Sequence, residues 1–387
     1  MVLPVHSTSV IHSARLVTDG VETPNAWVRF ENGAVSAVGI GADWTDADTI
    51  VDAAQVAGPG AILTPGFIDI HGHGGAGASY DDGADAIRAA RALHRAHGTT
   101  RAVISLVTAP LEDLARRVGE IADLMQTDAD ILGSHLEGPF LDPAHQGAHE
   151  PSLLRNPAPH DVQRLLEAGR GTVRQVTLAP ELPGGIDAIR LIVASGAAAA
   201  VGHTGADAAQ TAAAFDAGAT ILTHAFNAMP GIHHRAPGPV LTAAADHRVV
   251  LEAIADDVHL DPRVVKLLFD SAPGRVALVT DAMAAAGSAD GEYDLGAVRV
   301  TVNDGVARTE ATGAIAGSTL TQDVALQRAV RAGAPLVEAV RALTQTPAAA
   351  IGAGDRLGRI APGFAGDAVL LDAGLQVQHV QTGTAPA

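Results

Sequence analysis

A chain of 387 residues, 47% of them apolar, can bury a full core as one large domain, or a large one with a small companion, and is neither disordered nor fibrous. It has no cysteine, which excludes disulfides, a thiol nucleophile and thiolate metal sites; this fits a reducing compartment and leaves nitrogen and oxygen as the metal ligands available. Its formal net charge of −18 opposes binding to nucleic acid or an anionic membrane surface.

At the start of the chain, Met1–Ser13 has no basic stretch followed by an apolar run, and no alanine-rich segment further on is long enough to span a bilayer. A soluble, cytoplasmic protein is expected. Ser9–Thr18, Ala26–Phe30 and Val35–Ile40 are predicted as short strands, with Glu31-Asn32-Gly33 as a hairpin turn. From Ile62 to Met283, short apolar runs alternate with amphipathic helical stretches such as Asp85–His97 and Ala206–Ala217, the pattern of βα units around a parallel sheet. The runs are Ile62–Ile70, Arg101–Thr108, Ile131–Leu136, Gln175–Leu178, Ala197–Val201, Thr220–Leu222, Val249–Ile254 and Val276–Thr280. Eight such strands close a barrel. A second hairpin, Val298–Val302 and Val306–Thr309 around Asn303-Asp304-Gly305, is followed by two helices, about Thr321–Ala332 and Leu336–Ala350. The stretch Arg359–Asp367 then leads into strands Ala368–Asp372 and Val377–Val380. The fold class predicted is α/β: a (β/α)8 TIM-type barrel over residues 61–354, beside a small β-sandwich domain built from both termini, residues 1–60 and 355–387.

Catalytic groups of such a barrel stand at the C-terminal ends of its strands. Here the first run ends in Asp69-Ile70-His71-Gly72-His73, the third in His135-Leu136-Glu137, the fifth in Gly202-His203 and the sixth in Thr223-His224. The seventh ends in Asp256-Asp257-Val258-His259 and the eighth in Thr280-Asp281. The spacing of two places His71 and His73 on one side of an extended strand end, where both reach one cation. Singly, Glu137, His203, His224 and Asp281 each fit an ordinary salt bridge or cap. Together, at the ends of several strands, they point to a metal centre, because a lone buried carboxylate is costly unless paired or metal-bound. Among 25 basic residues only Lys266 is lysine, and the Gly-Lys-Ser/Thr run of a P-loop is absent.

Pro65-Gly66-Phe67-Ile68-Asp69-Ile70-His71-Gly72-His73-Gly74 resembles the first-strand signature of the amidohydrolase superfamily. Further segments, His135-Leu136-Glu137-Gly138-Pro139-Phe140, Gly147-Ala148-His149, Thr223-His224-Ala225-Phe226-Asn227-Ala228-Met229, Arg235-Ala236-Pro237-Gly238, Leu278-Val279-Thr280-Asp281-Ala282 and Ala316-Gly317-Ser318-Thr319-Leu320, resemble its N-acetylglucosamine-6-phosphate deacetylase family. The resemblance implies a divalent cation, one or two per subunit, Zn²⁺ first and Fe, Mn or Co as alternatives. It assigns Glu137, His203 and His224 to one metal, and His71 and His73 to a second. Many binuclear relatives bridge their metals with a carboxylated lysine; Lys266 lies in a helical stretch, so Glu137 is the candidate bridge. Asp281 is the expected proton shuttle and also a candidate metal ligand. His149 and His259 are the expected groups that orient substrate and stabilise the oxyanion, and Asn227, the backbone N–H of Ala228, and Arg235 the expected phosphate binders. Arg235 is expected to reach the neighbouring active site of a homodimer. The stretch Ala316–Leu320 is expected at the pocket, and by itself reads as a helix start capped by Ser318 or Thr319. The alternatives are another amidohydrolase, a cyclic-amide hydrolase or dipeptidase acting on an unphosphorylated substrate, and a catalytically silent scaffold.

Overall fold

A computed structural model describes residues 8–383 of the chain. The segment read above for a leader lies outside the described residues as far as residue 7. Among the described residues, no helix is long and apolar enough to cross a membrane.

Eight parallel strands form one sheet in chain order: Phe67–Asp69, Thr99–Val107, Ile131–Glu137, Val173–Leu178, Ala198–Val201, Ile221–Leu222, Val250–Ala253 and Val276–Leu278. Helices between them, among them Ala84–Ala96, Leu111–Leu124, Gly185–Ala194 and Pro262–Ser271, pack apolar faces on the outside of that sheet. This is the TIM-type barrel expected from the alternating runs. Its first and last strands are joined by side chains and loop ends rather than by a ladder. Gln322 Nε2 donates to the carbonyls of Ile68, at 2.9 Å, and Leu278, at 3.3 Å. Just above, Thr280 Oγ1 donates to Asp69 Oδ2 at 2.6 Å and the Asp281 N–H to the His71 carbonyl at 2.8 Å.

Both ends of the chain meet in a seven-stranded sheet made of Thr8–Thr18, Val21–Glu31, Ala34–Ile40, Thr49–Asp52, Ile62–Pro65, Ala368–Leu371 and Val377–Gln381. Ile11, Leu16, Val28, Phe30, Leu63 and Leu370 form its core. The hairpin turn at Asn32-Gly33 has positive φ at both residues, the requirement of a tight two-residue connection.

Three sequence expectations need correction. The run Ile62–Ile70 is two strands, because its first half pairs with the terminal sheet and its second with the barrel. The break is at Gly66, where a Cβ would stand 2.2 Å from Thr100 Oγ1, so only glycine lets the chain pass. The helix expected over Leu336–Ala350 is likewise two, Leu336–Leu343 and Gln345–Ala350. Pro347 cannot donate to the Leu343 carbonyl, and Thr344, at φ −131° and ψ −81°, breaks the turn. Finally, neither Ser318 nor Thr319 caps the next helix, which begins at Gln322 behind Thr321. Ser318 Oγ donates instead to the Thr280 carbonyl at 2.5 Å, tying this segment to the eighth strand.

Candidate metal centre and active site

The strand ends open into a cavity of about 410 Å³ lined by His73, Glu137, His203, His224 and Asp281, with His149 and His259 on its walls. His71 lies just beneath, fully buried. Glu137 Oε1 is the meeting point: it lies 3.3 Å from His71 Nε2, 3.2 Å from His203 Nε2 and 3.0 Å from His224 Nε2. Its Oε2 lies 3.1 Å from His73 Nε2. Asp281 Oδ1 lies 3.2 Å from His73 Nε2 and 3.6 Å from His71 Nε2. The six side chains come from five strands.

The donor set suits a divalent cation. His203 Nε2 and His224 Nε2 face each other at 3.0 Å, and His71 Nε2 and His73 Nε2 at 3.3 Å. Adjacent ligands on metal–nitrogen bonds of about 2.0–2.1 Å stand roughly 3–3.4 Å apart, so these spacings are those of donors sharing an ion. Two sets lie within 4.8 Å: His71, His73, Glu137 and Asp281, and Glu137, His149 and His203. In the second, His224 fits better than His149. His149 Nε2 is 3.5 Å from Glu137, farther than His224. Burial opposes ionisation of Glu137, yet the His71 charge and hydrogen bonds from His149, His203 and His224 hold its carboxyl well below the usual range. Burial also opposes ionisation of Asp281, whose hydrogen bond with His73 and the charges of His71 and His73 keep it an ionised acceptor.

The backbone carries strain at the same places. His203, His224 and Asp281 have φ of 47°, 26° and 48°, left-handed values that cost a non-glycine residue of order 1–3 kcal/mol each. Asp281 is held by Gly317, whose own φ is +63° and where a Cβ would stand 2.9 Å from the Asp281 carbonyl. The Ser318 N–H donates to that carbonyl at 2.7 Å. The segment Ala316–Leu320 thus touches the site through its backbone.

His149 and His259 are set up oppositely. The Thr108 N–H reaches His149 Nδ1 at 3.4 Å and the Thr108 hydroxyl at 2.9 Å. A backbone N–H can only donate, so Nδ1 accepts and Nε2 carries the proton toward the cavity. Burial pushes the His149 pKa down to about 4, so the ring is neutral near pH 7. His259 Nδ1 donates to Asp256 Oδ2 at 2.7 Å, while Asp256 Oδ1 accepts the N–H groups of Val258 and His259. Burial opposes the charge on His259, but its bond to Asp256 and the nearby Asp281 raise its pKa.

Asn227 and Ala228 line the cavity as well. Arg235 does not: it is exposed, its Nη1 2.7 Å from His234 Nε2, in a loop outside its own chain's cavity. Among the described residues that line the cavity, none is arginine or lysine. Lys266 is on an outer helix, paired with Asp270 at 2.5 Å.

Beneath the centre lies a polar layer that the sequence reading left without a role. Ser105 Oγ bonds His135 Nδ1 at 2.9 Å, and His135 Nε2 bonds Thr177 Oγ1 at 2.8 Å. Thr177 bonds Thr223 at 2.9 Å, and Gln175 Nε2 donates to Glu252 Oε1 at 2.7 Å. Glu252 Oε2 in turn accepts from His71 Nδ1 at 2.9 Å. The available signal was the period of two in Gln175-Val176-Thr177 and an acidic residue inside the apolar run Val249–Ile254.

The Amidohydrolase family profile matches residues 62–386. The chain belongs to the amidohydrolase family. Its amidohydrolase relatives include the N-acetylgalactosamine-6-phosphate deacetylase of Escherichia coli O157:H7, 37% identical over 96% of this chain and 97% of that protein. The N-acetylglucosamine-6-phosphate deacetylase of Vibrio furnissii is 33% identical over 92% of this chain and 87% of that one. Among solved structures, the Mycobacterium smegmatis N-acetyl-D-glucosamine-6-phosphate deacetylase in complex with N-acetyl-D-glucosamine-6-phosphate superposes with a TM-score of 0.91, at 41% identity and with 98% of each chain covered. This amidohydrolase is therefore a hydrolytic enzyme of a metal-dependent family, with a cluster able to hold the ion.

Proposed function

We propose that this amidohydrolase cleaves the acetamide of N-acetylglucosamine 6-phosphate to glucosamine 6-phosphate and acetate, in amino-sugar catabolism and cell-wall recycling. The observation that carries this reading is one cavity in which the clustered imidazoles and carboxylates, an ionised Asp281, and the imidazoles of His149 and His259 face a common space.

Glu137, His203 and His224 would hold one cation; His71, His73, Glu137 and Asp281 would hold a second. Zn²⁺ suits imidazole and carboxylate donors best, and Fe, Mn or Co also fit. When bound, the ion acidifies water and polarises the acetamide carbonyl. Asp281 takes the proton of the attacking water as its oxygen bonds to the carbonyl carbon. The neutral Nε2–H of His149 donates to the developing oxyanion. As the carbon–nitrogen bond breaks, Asp281 delivers its proton to the departing amine, and acetate leaves. His259, fixed by Asp256, orients the sugar.

The phosphate is a dianion and needs positive charge that the cavity's own lining lacks. Asn227 and the Ala228 N–H donate to it, and Arg235 of a second subunit completes the pocket in a homodimer, supported by its exposed position outside its own cavity. A phosphorylated sugar does not cross membranes freely, which supports a cytoplasmic setting. One relative acts on the C4 epimer by its name, so N-acetylgalactosamine 6-phosphate is the second substrate to assay. Acetate release should be measured from both phosphorylated sugars and from unphosphorylated N-acetylglucosamine. A clear preference for the phosphorylated sugars is expected; equal kcat/KM with and without phosphate would overturn the reading.

A further inference from the structure

The geometry points to Glu252 as the positioning residue that fixes one ligand from each half of the metal centre, an inference that rests on the metal reading above. Glu252 is fully buried in the seventh barrel strand. One oxygen of its carboxylate does two things at once: Oε2 accepts from His71 Nδ1 at 2.9 Å and from the backbone N–H of His224 at 3.2 Å. A carboxylate on Nδ1 makes that nitrogen the donor, so as a neutral ligand His71 would present its Nε2 lone pair on the side of Glu137 and Asp281. The second bond anchors the His224 backbone at its strained φ of 26°, and the aim of its Nε2 with it. Among the described residues, its remaining polar contact is with Gln175 Nε2, a neutral donor. A buried carboxylate without an arginine or lysine beside it is costly, and a cation held by His71 would offset that cost. Glu252 thereby orients His71 and makes the two halves of the centre depend on one group.

Two variants separate this role from simple packing. In Glu252→Gln the charge goes but the hydrogen bonds remain possible. Gln175 Oε1 is buried without a partner, so turning the Gln175 amide over offers an acceptor to the new NH₂ group. Glu252→Leu removes the bonds too. The readouts are Zn²⁺ affinity and stoichiometry, by chelator competition and metal analysis, and the visible spectrum of the Co²⁺-loaded protein, alongside the thermal midpoint of the metal-free protein. Glu252→Gln should fold with a midpoint near the parent's, bind metal about 10- to 100-fold more weakly and alter the Co²⁺ spectrum. Glu252→Leu, where it folds, should lose more. Parent-like affinity, stoichiometry and spectrum in folded Glu252→Gln would overturn the positioning role while leaving the metal reading intact. A parent protein that binds no Zn²⁺ or Co²⁺ would overturn both.

Discussion

At the floor of the cavity, six ligand-type side chains from five strands meet, each within hydrogen-bond range of at least one other, each buried and several held by strained backbone. Asn227 and Ala228 also face the cavity, with no arginine or lysine among its described lining, and Arg235 stands outside. The difference is between a cluster that one chain assembles by itself and a phosphate pocket proposed to draw on a neighbour. Barrel strands, whose ends are held by the packed core, suit the first. A surface loop suits the second, because it is free to cross to another subunit.

The largest effect should come from the cluster. Asp281→Asn keeps the shape of the side chain but cannot hold the proton, so kcat should fall by about 10²–10⁴ even in protein reloaded with metal to the parent's content. Turnover within a few-fold of the parent in the metal-loaded variant would move the shuttle to His149 or His259.

The phosphate pocket should respond differently. Arg235→Ala loses a bidentate, charge-assisted contact of about 2–3 kcal/mol, so KM for the phosphorylated sugar should rise by one to two decades, with weak activity on the unphosphorylated sugar little changed. Mixing makes the comparison sharper. Co-refolded Arg235→Ala and Asp281→Asn chains should recover activity that neither has alone, since half of the mixed dimer's sites then hold both groups. No recovery in a confirmed mixed dimer would place Arg235 in its own chain's site, or in none.

A smaller loss is expected at the cavity wall that carries His259. Asp256→Asn removes the charged acceptor that fixes His259, and should cost about 1–3 kcal/mol in kcat/KM, roughly 5- to 150-fold, without changing metal content. An unchanged kcat/KM would remove His259 from the substrate pocket.

The ligand cluster was legible because each of its residues closes an apolar run, where chemistry in a barrel of this kind resides. His71 and His73, Glu137, His203, His224 and Asp281 could be named from that rule and do converge. The layer below was not read. Ser105, His135, Gln175 and Glu252 sit inside strands, where a polar residue only declares itself once its partners on neighbouring strands are known. Arg235 could be read as a phosphate binder only through resemblance, since a single chain gives a loop no address. Likewise, the division of Ile62–Ile70 at Gly66 depends on a close approach by Thr100 and Asp367, distant in the sequence from each other.

An effect on stability and not on turnover is expected behind the first strand's end. His94 Nε2 donates to the Gly74 carbonyl at 2.9 Å, and burial pushes its pKa down to about 4 from 6.5. Above pH 6.5 the ring is neutral folded or unfolded. As pH falls from 6.5 toward 4, the unfolded chain takes up the proton first, so stability should drop by up to about 3 kcal/mol from this group. Urea midpoints at pH 7 and pH 4.5 should fall less steeply in His94→Asn than in the parent. An equal slope in both would show that His94 does not carry this part of the acid sensitivity.

The most direct test is acetate release from N-acetylglucosamine 6-phosphate by a single preparation carried through prolonged chelation and then re-addition of Zn²⁺, with the metal content measured at each stage. Turnover should vanish with the metal and return with it. Undiminished acetate release from demonstrably metal-free protein would contradict the assignment of Glu137, His203, His224, His71 and His73 to a catalytic metal centre.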